Sequence, residues 1–174
     1  MKKKIAIVGP ESTGKSTLSA KLAAHYNTEW VHEYAREYLN SINRSYNYDD
    51  LKFIAQGQLQ EEDRKLEDAN QLLICDTTML TLKIWSEYAF KKCDEIISIN
   101  LTNRKYDLHL LCNIDLPWVP DPQREHPDKR KYFFDWYESE LKKRKINYVI
   151  IEGKVSERFD KAVKAIDKLL SNEK

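Results

Sequence analysis

Gly9-Pro10-Glu11-Ser12-Thr13-Gly14-Lys15-Ser16-Thr17 lies between Lys4-Ile5-Ala6-Ile7-Val8, a β-branched run, and Leu18-Ser19-Ala20-Lys21-Leu22-Ala23, which has helical spacing. A strand feeding a glycine-bounded loop that opens into a helix is the setting in which G-x-x-x-x-G-K-[ST] cradles phosphate. The chain holds four glycines, and Gly9 and Gly14 occupy the two positions the loop requires. Chance is a poor account of that placement. Glycine lets the backbone curl until successive N–H groups, here across Glu11, Ser12, Thr13 and Gly14, face one point. The helix that follows aims its positive end at the same point. Lys15 is expected to reach the β- and γ-phosphates, Ser16 to offer its hydroxyl to Mg²⁺ and Thr17 to touch the α-phosphate. The competing reading is a glycine turn closing a βα corner beside a solvated lysine. The motif in this setting predicts binding of a nucleoside triphosphate.

Outward from the loop, five short apolar runs alternate with helical stretches. The runs are Ile5–Val8, Glu29–Val31, Leu72–Cys75, Leu108–Cys112 and Tyr148–Ile151. Helices are predicted from about Ala35, over Asp49–Ala69, Thr78–Phe90, Cys93–Asn103, Asp135–Lys143 and Val155–Leu170. In the last, Val155, Phe159, Val163, Ile166 and Leu170 make one apolar face. Near-continuous apolar strands alternating with helices predict an α/β three-layer sandwich, a parallel five-stranded sheet covered on both faces. Residues 1–174 are expected to form a single domain of ordinary size.

Four of the five prolines fall in Pro117-Trp118-Val119-Pro120-Asp121-Pro122-Gln123-Arg124-Glu125-His126-Pro127. That density excludes helix and ladder-paired strand, and predicts a stiff loop. It follows the C-terminal end of the fourth strand, the edge where ligands bind in such sheets. A lid-like loop over about 115–131 is therefore expected, the alternative being a plain surface loop. Arg124 and Arg130 are candidates to cover the γ-phosphate, where a guanidinium stabilises charge spreading over the transferring oxygens; solvated arginines are the alternative. Trp118 is a candidate to stack on an aromatic ligand. Trp85 and Trp136, at helix positions, are expected in the core.

Phosphoryl transfer to an alcohol needs a placed Mg²⁺ and a carboxylate to take the proton. Glu33, Asp76 and Asp115 each follow a predicted strand, and strand ends on one edge of a parallel sheet converge. Asp76 closes Leu72-Leu73-Ile74-Cys75-Asp76, the form of a second nucleotide-binding motif, and would hold a Mg²⁺-bound water or orient the acceptor. Glu33, in His32-Glu33-Tyr34-Ala35-Arg36, is the candidate general base; the alternative is an acid placed to complement a helix dipole. Trp30, His32 and Tyr34 flank it as candidate lining residues. His25, His109 and His126 lack metal-ligand spacing and receive no role.

Composition narrows the class. A formal net charge of +1, with both signs interspersed, gives no nucleic-acid or membrane surface. No apolar run approaches the roughly 20 residues of a membrane span. Met1-Lys2-Lys3-Lys4 resembles the start of a signal peptide, but too few apolar residues follow it before the loop. Three cysteines, Cys75, Cys93 and Cys112, are an odd number without C-x-x-C spacing, and a reducing cytoplasm is the expected compartment. Where a GTPase would show D-x-x-G and N-K-x-D, the chain has Asp76-Thr77-Thr78-Met79 and Cys112-Asn113-Ile114-Asp115. Guanine recognition is not supported, and the chain is short for an oligomeric motor ATPase. A small-molecule kinase fits best, with an ATP-hydrolysing switch module and a kinase for another small alcohol as alternatives. Nothing in the sequence determines the oligomeric state.

GPESTGKST (9–17), HEYAREY (32–38), LICDT (73–77) and PWVPDPQR (117–124), in that order, resemble the ribosylnicotinamide kinase domain of NadR-type NAD-biosynthesis proteins. The resemblance spans almost the whole chain. It implies ATP-dependent phosphorylation of the ribose 5′-hydroxyl of nicotinamide riboside, giving nicotinamide mononucleotide. It places Glu33, Tyr34, Arg36, Asp76, Trp118 and Asp121 around the acceptor. Family proteins often carry an adenylyltransferase domain before the kinase; this sequence begins at the kinase strand, so that activity is not expected. An aromatic residue precedes the family's glutamate, where this chain has His32.

Overall fold

The computed structural model describes residues 2–171, so Met1 of the basic start and the last three residues of the expected 1–174 domain lie outside the described residues. Five strands, β1 (Lys3–Val8), β2 (Trp30–Val31), β3 (Leu72–Asp76), β4 (Leu108–Cys112) and β5 (Tyr148–Ile151), form one parallel sheet in the order β2-β3-β1-β4-β5. β1 is central, and its alternating side chains serve two cores. Ile5 and Ile7 face α1 (Lys15–His25) and α7 (Val155–Ser171), where Leu18, Leu22, Ala162 and Ile166 close the layer. Ala6 and Val8 face α4 (Met79–Phe90) and α6 (Arg130–Lys143), meeting Leu80, Ile84, Phe134 and Leu141. α2 (Tyr34–Ser41), α3 (Tyr48–Asp68) and α5 (Glu95–Asn103) add a third cluster with α4 around Leu51, Ile54, Leu82 and Ile97. The three-layer α/β sandwich is thus the one expected, because strands buried on both faces need helices on both sides. No helix among the described residues is long and apolar enough to cross a membrane.

The register decides what meets at the functional edge. Ile7 pairs with Asp76 and Val8 with Leu111, so β1, β3 and β4 end together and deliver the glycine loop, Asp76 and the proline-rich segment to one rim. Gly9 leaves β1 at φ +139°, and a Cβ there would lie 2.8 Å from the carbonyl oxygen of Cys112. Only glycine lets the loop turn so close to β4.

The largest departure from the expected boundaries follows the proline-rich segment. Pro127 opens a short 3₁₀ turn (Pro127–Lys129), and α6 begins at Arg130 rather than Asp135. A proline is tolerated in a first turn because its missing N–H has no partner there in any case. Arg130 and Lys131 therefore sit on a helix and not in the loop.

His109 is the second residue of β4, 4% exposed, its Nδ1 without a hydrogen-bond partner and its ring edge against Tyr106. Burial pushes its imidazole down to about 4. The unfolded chain takes up the proton near 6.5 and the folded chain only near 4, so stability falls as pH drops through that window, by roughly 3 kcal/mol. His109→Gln should lack this loss: in urea unfolding its stability relative to wild type should improve by about that amount between about pH 7 and about pH 4. A difference independent of pH would show that His109 is not buried as a neutral ring.

Candidate active site

The phosphate loop is braced from behind. Pro10 O accepts from Thr13 Oγ1 (2.8 Å) and from Lys15 Nζ (2.8 Å). Ser12 O accepts from Arg130 Nη1 (3.3 Å) and Thr13 O from Arg158 Nη1 (2.7 Å). In a trans peptide the N–H points opposite to its carbonyl, so the amides of Glu11, Thr13 and Gly14 are turned away from these braces, as an anion nest requires. Arg158 is 4% exposed and also donates to Asn113 O (2.7 Å) and Asp115 Oδ1 (2.8 Å). The other Asp115 oxygen accepts from the Gly153 amide. Asp115 therefore ties β4 to α7 and does not join a cleft with Glu33 and Asp76. Arg158 has no role in the sequence reading, although it recurs with Ala162 and Ile166 on the buried face of α7, a phase where a charge calls for an explanation.

A cavity of about 280 Å³ opens from residues 9–17 and is lined beyond them by Glu33, Ala35, Arg36, Leu39, Arg124 and an aromatic wall. Glu33 precedes α2, but its side chain makes no capping bond, which leaves the carboxylate to the cavity. Asp76 lies at the end of β3, 1% exposed, with no hydrogen bond of ordinary geometry reaching either oxygen, although Ser16 approaches it. Burial, helped by the negative charge of Glu33, pushes its carboxyl up to about 6 against the pull of Lys15. An unpaired carboxylate beneath Lys15 and Ser16 is the donor set a hard cation would take, with phosphate and water completing the shell. Among the described residues no group of three or more His, Cys, Asp or Glu is arranged to hold a metal by itself.

The proline-rich loop is closed over the phosphate loop and α2. Glu11 accepts from the amides of Glu125 (3.1 Å) and His126 (3.2 Å), and Ser12 Oγ from the Val119 amide (2.8 Å). Arg36 pairs with Asp121 at 3.0 Å, and Gln123 donates to Asn40 Oδ1 (2.7 Å). The Gln123 amide and Arg36 hold the Asp121 carboxyl below the usual range. Arg124 lines the cavity while donating to the Val119 carbonyl. Arg130 does not line it: its guanidinium bonds Leu116 O (2.9 Å) and stands 5.8 Å from the Trp118 ring.

Trp118, Asp121, Asp76 and Tyr34 likewise stand outside the cavity lining. The Tyr34 ring lies on α3, where a Cβ at Gly57 would fall 2.0 Å from it. Trp30 and His32 meet in a tilted contact, ring centres 3.7 Å apart, also away from the cavity.

Trp85 and Trp136 each pack against a core cluster as expected, and Trp85 also lines the cavity with Tyr46, Tyr88, His126, Phe133 and Tyr137. Trp85 Nε1 donates to Tyr46 OH (3.1 Å), which donates to Glu125 Oε2 (3.1 Å). Tyr46 is held by a loop anchored through Arg44 on Asp50 (2.7 Å) and by the Asn47 cap of α3. The signal for this wall is present on α4, where Thr81, Trp85 and Tyr88 fall on one face and two of them carry polar tips that avoid a dry core.

A family profile described as "AAA domain" matches residues 4–158. The chain is 29% identical over 97% of its length to the trifunctional NAD biosynthesis/regulator protein NadR of Salmonella typhimurium, and spans 43% of that protein. A NadR crystal structure in complex with NR superposes with a TM-score of 0.83 at 20% identity, over 97% of this chain and 50% of that one. Thymidylate kinase from Ehrlichia chaffeensis superposes at 0.68 and 14% identity, over 95% of this chain and 98% of that one. The structural likenesses establish the fold.

Proposed function

Because the chain belongs to the AAA-domain family over the span that carries its phosphate loop, we propose that it is an ATP-dependent kinase for the primary alcohol of a nucleoside, nicotinamide riboside first. The observation that carries this reading is a cavity joining the phosphate loop to Glu33 and an aromatic wall, donor and acceptor compartments in one enclosure. The similarity to a NAD-biosynthesis protein, and the NR bound in the structural relative, point to the acceptor.

In this reading the loop amides and Lys15 hold the triphosphate, and Ser16 with Asp76 holds Mg²⁺, which supplies neutralisation of phosphate charge. Glu33 accepts the proton of the 5′-hydroxyl as its oxygen bonds the γ-phosphorus, and ADP departs. Arg124, on the closed loop, faces the transferring group; Arg130 supports the loop from behind. Glu11 and Ser12 keep that loop closed through their side chains while their backbone serves the phosphates. Since His32 is turned away, a cationic ring would rest against Tyr46, Trp85 and Tyr88. Nucleoside salvage in the cytoplasm is the natural setting.

Purified protein with Mg·ATP should convert nicotinamide riboside to its 5′-phosphate with one ADP formed per product, as read by chromatography. ATP hydrolysis that ignores the riboside would replace the kinase by a switch module. Glu33→Gln should lower kcat about 100-fold with little change in the KM for ATP. Retained turnover would move the base to Asp76.

A further inference from the structure

Thr81 and Tyr137 meet where α4 packs on α6, and both line the cavity. The Thr81 hydroxyl is buried without a hydrogen bond. Some helical hydroxyls bond back to the carbonyl four residues before, as Ser19 does to Lys15 O (3.0 Å) and Thr102 to Ser98 O (3.1 Å). Thr81 does not. Its hydroxyl lies beside the Tyr137 phenol, close enough to favour the ionised form, yet not in bonding geometry. Tyr137 is 4% exposed, and burial together with the charges of Glu33 and Glu11 keeps its phenol protonated. The phenol thus feels the compartment where the reacting alcohol would sit. Ile84 and Phe133 pack in the same cluster as Tyr137 and line the cavity beside it. Buried polar atoms without partners are uncommon and call for one.

We propose that Thr81 and Tyr137 read a ring hydroxyl of the acceptor sugar, so that the site takes ribosides in preference to deoxyribosides. The inference rests on the kinase reading and specifies its substrate class. A sugar hydroxyl both donates and accepts, which suits a pair of hydroxyls that leave each other unsatisfied. A site built to bond a substrate hydroxyl rejects the analogue lacking it, since its own polar groups are then stranded.

The test compares kcat/KM for nicotinamide riboside and its 2′-deoxy and 3′-deoxy analogues in wild type, Thr81→Val and Tyr137→Phe. Wild type should disfavour one analogue by roughly 100-fold. Thr81→Val, which keeps the shape, should lower the riboside toward that analogue and bring the ratio below about 10, without lowering the unfolding midpoint, because the hydroxyl removed bonds nothing. Equal turnover of all three acceptors by wild type would overturn the inference and leave the kinase reading standing. So would an unchanged ratio in Thr81→Val, or in Tyr137→Phe if the first variant fails to fold. Hydrolysis of ATP with no riboside phosphorylated would remove the kinase reading and this inference together.

Discussion

Lys15→Ala is expected to lower phosphoryl transfer by at least about 1000-fold while the chain stays folded. The charge balance of the cavity explains the size of the effect. Glu11 and Glu33 line it, and Asp76 lies beneath. A polyphosphate entering an enclosure with three carboxylates depends on the loop amides, the α1 terminus, Arg36, Arg124 and Lys15 to reverse the sign of the field, and Lys15 is the cation within the phosphate loop itself. Lys15 also acts where charge grows during transfer, so its loss weighs on the transition state more than on binding. The cost to the resting fold is modest, because its bond to Pro10 O is one of several braces and a bond to a charged group is worth about 2 kcal/mol. Lys15→Arg should not restore activity, since a wider, planar guanidinium does not fit a point-charge position. The measurement is single-turnover transfer from ATP, with circular dichroism as the folding control. Normal turnover in Lys15→Ala would mean that the loop is not where phosphate is held.

Asp76→Asn should lose turnover about 1000-fold and gain stability in the same stroke. In the protein free of nucleotide and metal, the Asp76 carboxyl titrates near 6, against an ordinary 3.8. Between those values the folded chain holds a proton the unfolded chain has released, so stability falls as pH rises through the window and stays lower above it. At about 1.36 kcal/mol per pH unit, the deficit above about pH 6 is roughly 3 kcal/mol. A neutral amide in place of the carboxyl would relieve it, giving a higher unfolding midpoint at about pH 8 and no advantage below about pH 4. The slope is opposite in sign to that of His109, so the two variants separate contributions that offset each other in the wild type. A variant that loses stability at about pH 8 would show Asp76 to be a structural partner instead of a charge held ready for a cation.

Several of these features are legible in the residues. The five apolar runs are the five strands, with shifts of a residue or two at their ends, because short apolar stretches bounded by polar and turn residues constrain the backbone locally. The loop at 9–17 is readable for the same reason, as is Asp76, whose place at a strand end follows from the strand itself. Reading fails where a side chain's role depends on distant segments. α6 starts five residues ahead of its predicted position because proline density bars a helix interior, whereas Pro127 sits in a first turn. A helical position suggests the core for Trp85, which does pack against the third cluster, but its second place, in a wall assembled from the 42–47 loop, α4, the proline-rich loop and α6, has no local mark. The buried phase of Arg158 marks it as unusual, but its role is not readable locally because it joins Thr13, Asn113 and Asp115, more than 40 residues away in sequence.

The amino-acid sequence alone determined the alternation of strands and helices, the phosphate loop between β1 and α1, and the carboxylate closing β3. These follow from period, propensity and spacing, which act over a few residues. Only the tertiary structure decided that Glu11 and Ser12 hold the proline-rich loop, that Asp115 braces rather than reacts, and that Thr81 and Tyr137 share one wall with Glu33. Such facts depend on the strand order and on helix packing, which bring segments far apart in the chain within a few ångströms, and no local pattern records which of their side chains will then face each other.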